Sequence, residues 1–198
     1  MTTPRRALRT SALTFAFLLG LSAPVLGQAE LREGQPVRGS LQAGDTIRYS
    51  IEVGEAFYVY GEVDQISVDV VVRILGVDGN QLALVDGPAR GAEKFGGELD
   101  EAGTYTIQVI PFEDETGEYE IVLHRLEPVE TDPGKLTDQL MARYDGDETP
   151  GAAIQVWRDG RTLYSESWGM ANLAYGLPFE TDTRTNIGST SKQFTAFA

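Results

Sequence analysis

The 198-residue chain has no cysteine and a single histidine, His124. The first absence excludes disulfides, thiolate zinc sites and a cysteine nucleophile. The second leaves no two-histidine metal site within the chain. Positive charge is also scarce, with 16 Lys plus Arg against 30 Asp plus Glu and a formal net charge of −14. A surface of that sign repels phosphate backbones and anionic lipid, so nucleic acid is excluded as a partner. The length allows one ordinary domain or two small ones. Hydrophobic residues at 41% and charged residues at 23% fit a globular chain rather than a disordered one.

The N-terminus carries Arg5, Arg6 and Arg9, then an apolar run from Ala12 to Leu21, then Pro24 and small residues. That order is a secretory signal, and the run is about half of the roughly 20 residues needed to cross a bilayer. Residues 1–29 therefore read as a signal peptide, with cleavage after Ala29 preferred and cleavage after Gly27 the alternative. The expected location is secreted or periplasmic.

From Glu30 to Leu126 the apolar residues recur with period two and turn signals come every eight to twelve residues, the pattern of an all-β sandwich. Ile47, Tyr49, Ile51 and Val53 form one inward row. Val68, Val70, Val72 and Ile74 form a second, on a strand that is apolar on nearly both sides and so predicted to be central. Tyr105, Ile107 and Val109 form a third, and Tyr119, Ile121 and Leu123 a fourth. The segments Asp78-Gly79-Asn80, Gly96-Gly97 and Glu101-Ala102-Gly103 are predicted turns. The acidic loops at Asp100-Glu101 and Glu113-Asp114-Glu115 lack the spacing of a calcium loop and read as solvated surface, so no metal or cofactor is expected. His124 ends a strand on the face opposite the Tyr119 row. It reads as a surface residue with no acid beside it to make it a base.

The phrases Gly39-Ser40-Leu41, Ala43-Gly44-Asp45, Gly103-Thr104-Tyr105 and Thr116-Gly117-Glu118-Tyr119 make this stretch similar to the bacterial pre-peptidase C-terminal domain. The resemblance implies a jelly-roll-like module with an accessory role in secretion, solubility or attachment.

Residues 127–132 carry two prolines with the flanking Pro133 and several acids, and mark the linker to residues 133–198. Asp132 is a predicted helix N-cap with Pro133 in the first helical position. Leu136, Leu140 and Tyr144 follow at spacing four and predict a packing stripe that ends near Asp145-Gly146. Ala153 to Trp157 and Arg161 to Trp168 flank Arg158-Asp159-Gly160, a strong hairpin signal. Further on, a helix is predicted to begin at Ser189, which places Ser189 and Lys192 three residues apart on one face. A serine hydroxyl needs a base to take its proton, and an adjacent lysine amine can serve once its pKa is lowered from about 10.4 toward 7. The helix N-terminus adds N–H groups that favour developing negative charge near Ser189.

The order of helix, Pro-Gly-Ala-Ala, Asp-Gly hairpin, Gly-Met-Ala-Asn and Ile-Gly-Ser-Thr-Ser-Lys-Gln-Phe-Thr-Ala resembles the opening of the serine beta-lactamase and penicillin-binding-protein superfamily, closest to its class C and esterase-like branch. That resemblance implies Ser189 as the acylated nucleophile, Lys192 as its proton-transfer partner, and the Ser189 N–H as one oxyanion donor. Ser191 is not the nucleophile. No segment after Lys192 corresponds to the superfamily's second and third motifs. The expectation is an all-β, jelly-roll-like sandwich followed by the incomplete start of an α+β serine hydrolase domain, inactive as given. Its substrate would be a small molecule or peptide with a reactive carbonyl: an amide, ester or lactam. The alternative is a non-catalytic secreted binding or secretion module with an inactive hydrolase remnant. Oligomeric state is not readable from the sequence.

Overall fold

The computed structural model describes residues 28–198. The signal-peptide reading therefore falls outside the described residues, apart from its last two positions. The first nine strands are β1 (Ala29–Glu30), β2 (Val37–Leu41), β3 (Ile47–Val53), β4 (Phe57–Asp64), β5 (Val70–Leu75), β6 (Gln81–Val85), β7 (Ala92–Leu99), β8 (Gly103–Pro111) and β9 (Gly117–Pro128). They form a five-stranded sheet in the order β1-β3-β8-β5-β6 and a four-stranded sheet in the order β2-β9-β4-β7. From β2 onward the chain changes sheet at every connection except β5 to β6, which gives a sandwich with jelly-roll-like connectivity.

Alternation of side chains along each strand decides what lies between the sheets. Tyr49, Ile51 and Val53 of β3, Val70, Val72 and Ile74 of β5, Tyr105, Ile107 and Val109 of β8, and Tyr119, Ile121 and Leu123 of β9 are all buried in one core. Burial of each such side chain contributes about 1.5–3 kcal/mol. Within this core the Tyr49 and Tyr119 hydroxyls are hydrogen-bonded to each other at 2.7 Å. β5 lies inside its sheet between β8 and β6, with β8 at the centre.

Gly96 and Gly97 are not a turn. They lie within β7, paired with Tyr60 and Val59 of β4. A Cβ on Gly96, whose φ is +152°, would sit 2.3 Å from the Val59 carbonyl oxygen, so the glycine allows β7 to close against β4. β9 continues two residues past the predicted end at Leu126, because Glu127 and Pro128 keep pairing with Tyr58 and Phe57.

Beyond the sandwich, α1 (Pro133–Met141) starts where predicted, with the Asp132 carboxylate accepting from the Gly134 and Lys135 amides. A 3₁₀ turn over Ala142–Tyr144 ends it. Its buried face is not the expected Leu136, Leu140 and Tyr144 stripe, since Leu140 and Tyr144 are exposed. Gln139 and Ala142 are buried instead, and Ala142 packs with Tyr58, Tyr60 and Val129 on the outer face of the four-stranded sheet. The reason is a hydrogen-bonding demand: the Gln139 amide accepts from the Glu130 N–H at 2.9 Å and donates to the Pro128 carbonyl at 2.8 Å. Pro128 is the last residue of β9 and Glu130 lies two residues beyond it, so Gln139 pairs backbone groups at and just past the end of that strand.

Candidate active site

The hairpin strands β10 (Ala152–Arg158) and β11 (Arg161–Trp168) pair from Ala152 with Trp168 to Arg158 with Arg161. Asp159 and Gly160 take φ values of +50° and +73°, the two positive values of the tight turn that the Asp-Gly pair predicts. β12 (Met170–Asn172) and β13 (Leu177–Pro178) form a second short pair. The two pairs are joined through Gly151, whose N–H donates to the Met170 carbonyl at 2.8 Å. A Cβ on Gly151 would lie 2.3 Å from that of Phe179, so this crossing requires glycine. The hairpin is tied to α1 by the Tyr164 hydroxyl, which donates to Asp138 Oδ1 at 2.8 Å. Burial and then this carboxylate push the Tyr164 hydroxyl up to about 12.

The serine lies in the following turn. Asn186 Oδ1 accepts from the Gly188 N–H at 2.7 Å, and the Ser191 hydroxyl donates to the Gly188 carbonyl at 2.8 Å. With both backbone groups of Gly188 held, the chain winds into a 3₁₀ turn over Gly188–Thr190 before α2 (Ser191–Phe197) begins. The predicted helix start at Ser189 is thus displaced by two residues: Ser189 is in the 3₁₀ turn and Lys192 in the first turn of α2. Three residues apart along this continuous winding, they share a face. Both are exposed. Among the described residues neither the Ser189 hydroxyl nor the Lys192 amine has a hydrogen-bond or ion-pair partner, whereas the Ser191 hydroxyl is committed to Gly188. Trp157 and Leu163 of the hairpin and Phe194 and Phe197 of α2 are exposed.

The lone histidine differs from its sequence reading. His124 is exposed as expected, but its Nε2 lies 3.2 Å from Glu62 Oε1, so an acid does accompany it. The strand pairing of β4 with β9 slips between Tyr60 and Gly61, and His124 is the extra residue of the resulting bulge. Nothing local in the sequence signals this, because the acid comes from another strand. Among the described residues no group of three or more His, Asp or Glu could hold a metal ion.

Residues 135–198 match the family model described as beta-lactamase. Over 49 residues the chain is 47% identical to a D-aminopeptidase of Cereibacter sphaeroides, covering 25% of this chain and 10% of that protein. Over 56 residues it is 41% identical to a D-aminopeptidase of Gluconobacter oxydans, covering 28% of this chain and 10% of that protein. The matched stretch thus spans about a tenth of the length of these curated relatives. Among solved structures, the pre-peptidase C-terminal domain of collagenase from Bacillus anthracis aligns with a TM-score of 0.41 and 17% identity, covering 48% of this chain and 93% of that one.

Proposed function

We propose that residues 133–198 supply the nucleophile and its proton acceptor to a serine hydrolase of the beta-lactamase-related type. The observation that carries this reading is that the stretch matched by the beta-lactamase family model contains Ser189 and Lys192 on one face of a wound turn, both solvent-facing and neither engaged elsewhere. In the proposed reaction the Ser189 hydroxyl oxygen attacks the substrate carbonyl carbon while its proton passes to the Lys192 amine. The tetrahedral oxyanion accepts from the Ser189 N–H. Collapse breaks the bond to the leaving group, which takes the proton from Lys192. Water then attacks the acyl-serine ester as its proton passes to Lys192, and the ester C–O bond breaks to release the carboxylic acid while Lys192 returns the proton to the Ser189 oxygen.

D-aminopeptidase relatives favour an amide, that of a peptide, over an ester or lactam as the substrate. The sandwich is the accessory module in this reading, and the N-terminal segment exports the whole to the periplasm or beyond. Cleavage after Gly27 suits the fold better than cleavage after Ala29. Ala29 pairs with Tyr49 in β1, and the Gln28 amide donates to Thr106 Oγ1 at 3.0 Å.

The test is covalent labelling by a fluorophosphonate or a fluorescent penicillin. Ser189→Ala is expected to abolish labelling, and Lys192→Ala to slow it by about 10²–10⁴. Undiminished labelling of Ser189→Ala would overturn the assignment.

A further inference from the structure

The turn that carries Ser189 is not held by packing. No residue of Gly188–Thr190 or of α2 is buried, and Ile187, Phe194 and Phe197 are exposed. A segment without buried side chains keeps one conformation only where hydrogen bonds fix its backbone, because nothing else offsets the entropy of ordering it. The backbone bonds here belong to the winding itself: the Thr190 N–H donates to the Ile187 carbonyl and the Ser191 N–H to the Gly188 carbonyl. Two side chains add to them, both at Gly188. The Ser191 hydroxyl donates to its carbonyl from behind the serine, and Asn186 Oδ1 accepts from its N–H at 2.7 Å from ahead of it. From Arg184 to Ser189, Asn186 is the one side chain that makes a hydrogen bond among the described residues.

What Asn186 holds is a reversal of the chain. Gly188 has a φ of +52°, in the left-handed region, and a Cβ there would meet nothing within 4 Å. The glycine therefore serves the backbone conformation and not a close approach. A side-chain oxygen that accepts from the N–H two residues on favours such a turn. The direction in which the chain leaves Gly188 then sets both the Ser189 N–H and the Cα–Cβ bond that carries the Ser189 hydroxyl. Asn186 also decides which donor stays open: the Gly188 N–H is taken, whereas the Ser189 N–H makes no hydrogen bond among the described residues.

We propose that Asn186 is a positioning residue for acyl transfer, clasping Gly188 so that the nucleophilic oxygen and the oxyanion donor of Ser189 keep one fixed relation to the substrate carbonyl. The inference rests on the hydrolase reading and goes beyond it, since the spacing of Ser189 and Lys192 makes no demand on the residue three places ahead of the serine. Asn186 acts through Gly188 and does not touch the substrate.

The test uses the full chain and a fluorophosphonate at varied concentration, which separates the maximal labelling rate from the half-saturating concentration. Asn186→Ala is expected to lower the maximal rate about ten-fold or more and to leave the half-saturating concentration unchanged, because a displaced nucleophile loses rate and not binding. Asn186 is exposed, so Tm should not move. Asn186→Ser keeps a neutral oxygen able to accept from the Gly188 N–H and should recover most of the rate. Exchange of the Gly188 amide hydrogen should quicken in Asn186→Ala and return toward the wild-type value in Asn186→Ser. A maximal rate unchanged in Asn186→Ala, a loss that Asn186→Ser does not recover, or unaltered Gly188 exchange would overturn the inference and leave the hydrolase reading standing. Labelling of Ser189→Ala as fast as that of the wild type would overturn both.

Discussion

At the scale of single residues, buried polar groups show the sharpest dependence on their partners. The Tyr49 and Tyr119 hydroxyls are in mutual contact within the core between the sheets. Burial raises the pKa of both. Tyr119→Phe leaves one buried hydroxyl without a partner and is expected to cost about 1–3 kcal/mol in urea unfolding. The double variant Tyr49→Phe/Tyr119→Phe removes both polar groups and should recover most of that loss. A double variant as unstable as the sum of the single ones would show that the hydroxyls do not act as a pair. Glu93 sets a pH dependence. It is 2% exposed, and its carboxylate accepts from the Gly87 N–H at 2.9 Å. Burial, followed by the nearby Asp86 and Asp69 charges, raises its pKa against the opposing effect of the Gly87 hydrogen bond. In the window above its ordinary pKa the native state therefore holds a proton that the unfolded chain has lost. The stabilisation from this group is complete below its unfolded pKa and is lost as pH rises through the raised folded value. Glu93→Gln should flatten the fall in stability on the alkaline side of pH 4.5 seen in urea unfolding across pH. An unchanged slope would remove Glu93 as its source.

Among the elements, β7 depends most on a single position. It is an edge strand, paired only with β4, and Gly96 is where an added Cβ would meet the β4 backbone. Gly96→Val combines a collision with the Val59 carbonyl and a β-branched residue at positive φ. Its expected cost is about 2–5 kcal/mol in urea unfolding, with amide exchange accelerated along β7 before the rest of its sheet. A Gly96→Val protein of wild-type stability would mean that β7 can shift without loss. α1 illustrates a different control. Its cap is set by Asp132 next door, but its orientation is set by Gln139 reaching the ends of the sheet, so a polar residue rather than a leucine faces inward.

For the whole molecule, the core cluster is drawn from residues 31 to 123. A span of that size buries enough apolar surface for independent stability. Residues 28–130 alone are expected to give a strand-dominated circular dichroism spectrum and one cooperative melt, at a lower Tm than the full chain because Tyr58 and Tyr60 lose the cover of Ala142. A helical spectrum or a gradual loss of signal would contradict this. The segment beyond Thr131 is built differently. Its strands form two two-stranded pairs, and its one buried hydrophobic, Ala142, packs on the sandwich.

The sequence by itself determined the features whose physics is local. Alternation placed the rows of β3, β5, β8 and β9 in the core, Asp159-Gly160 closed the hairpin, and Asp132 capped α1. Each depends on neighbours within a few residues or on the two-residue period of a strand. The spacing of Ser189 and Lys192 was readable in the same way, since it needs only the winding of one turn. Tertiary structure alone decided the remainder. Gly96 and Gly97 read as a turn until β4 lay alongside them. The inward face of α1 followed from backbone groups at the end of β9 that required partners. His124 gained its acid only because a bulge in β9 turned it toward Glu62 of β4. These outcomes depend on which distant groups come to face one another, and composition, period and spacing along one chain carry no information about that.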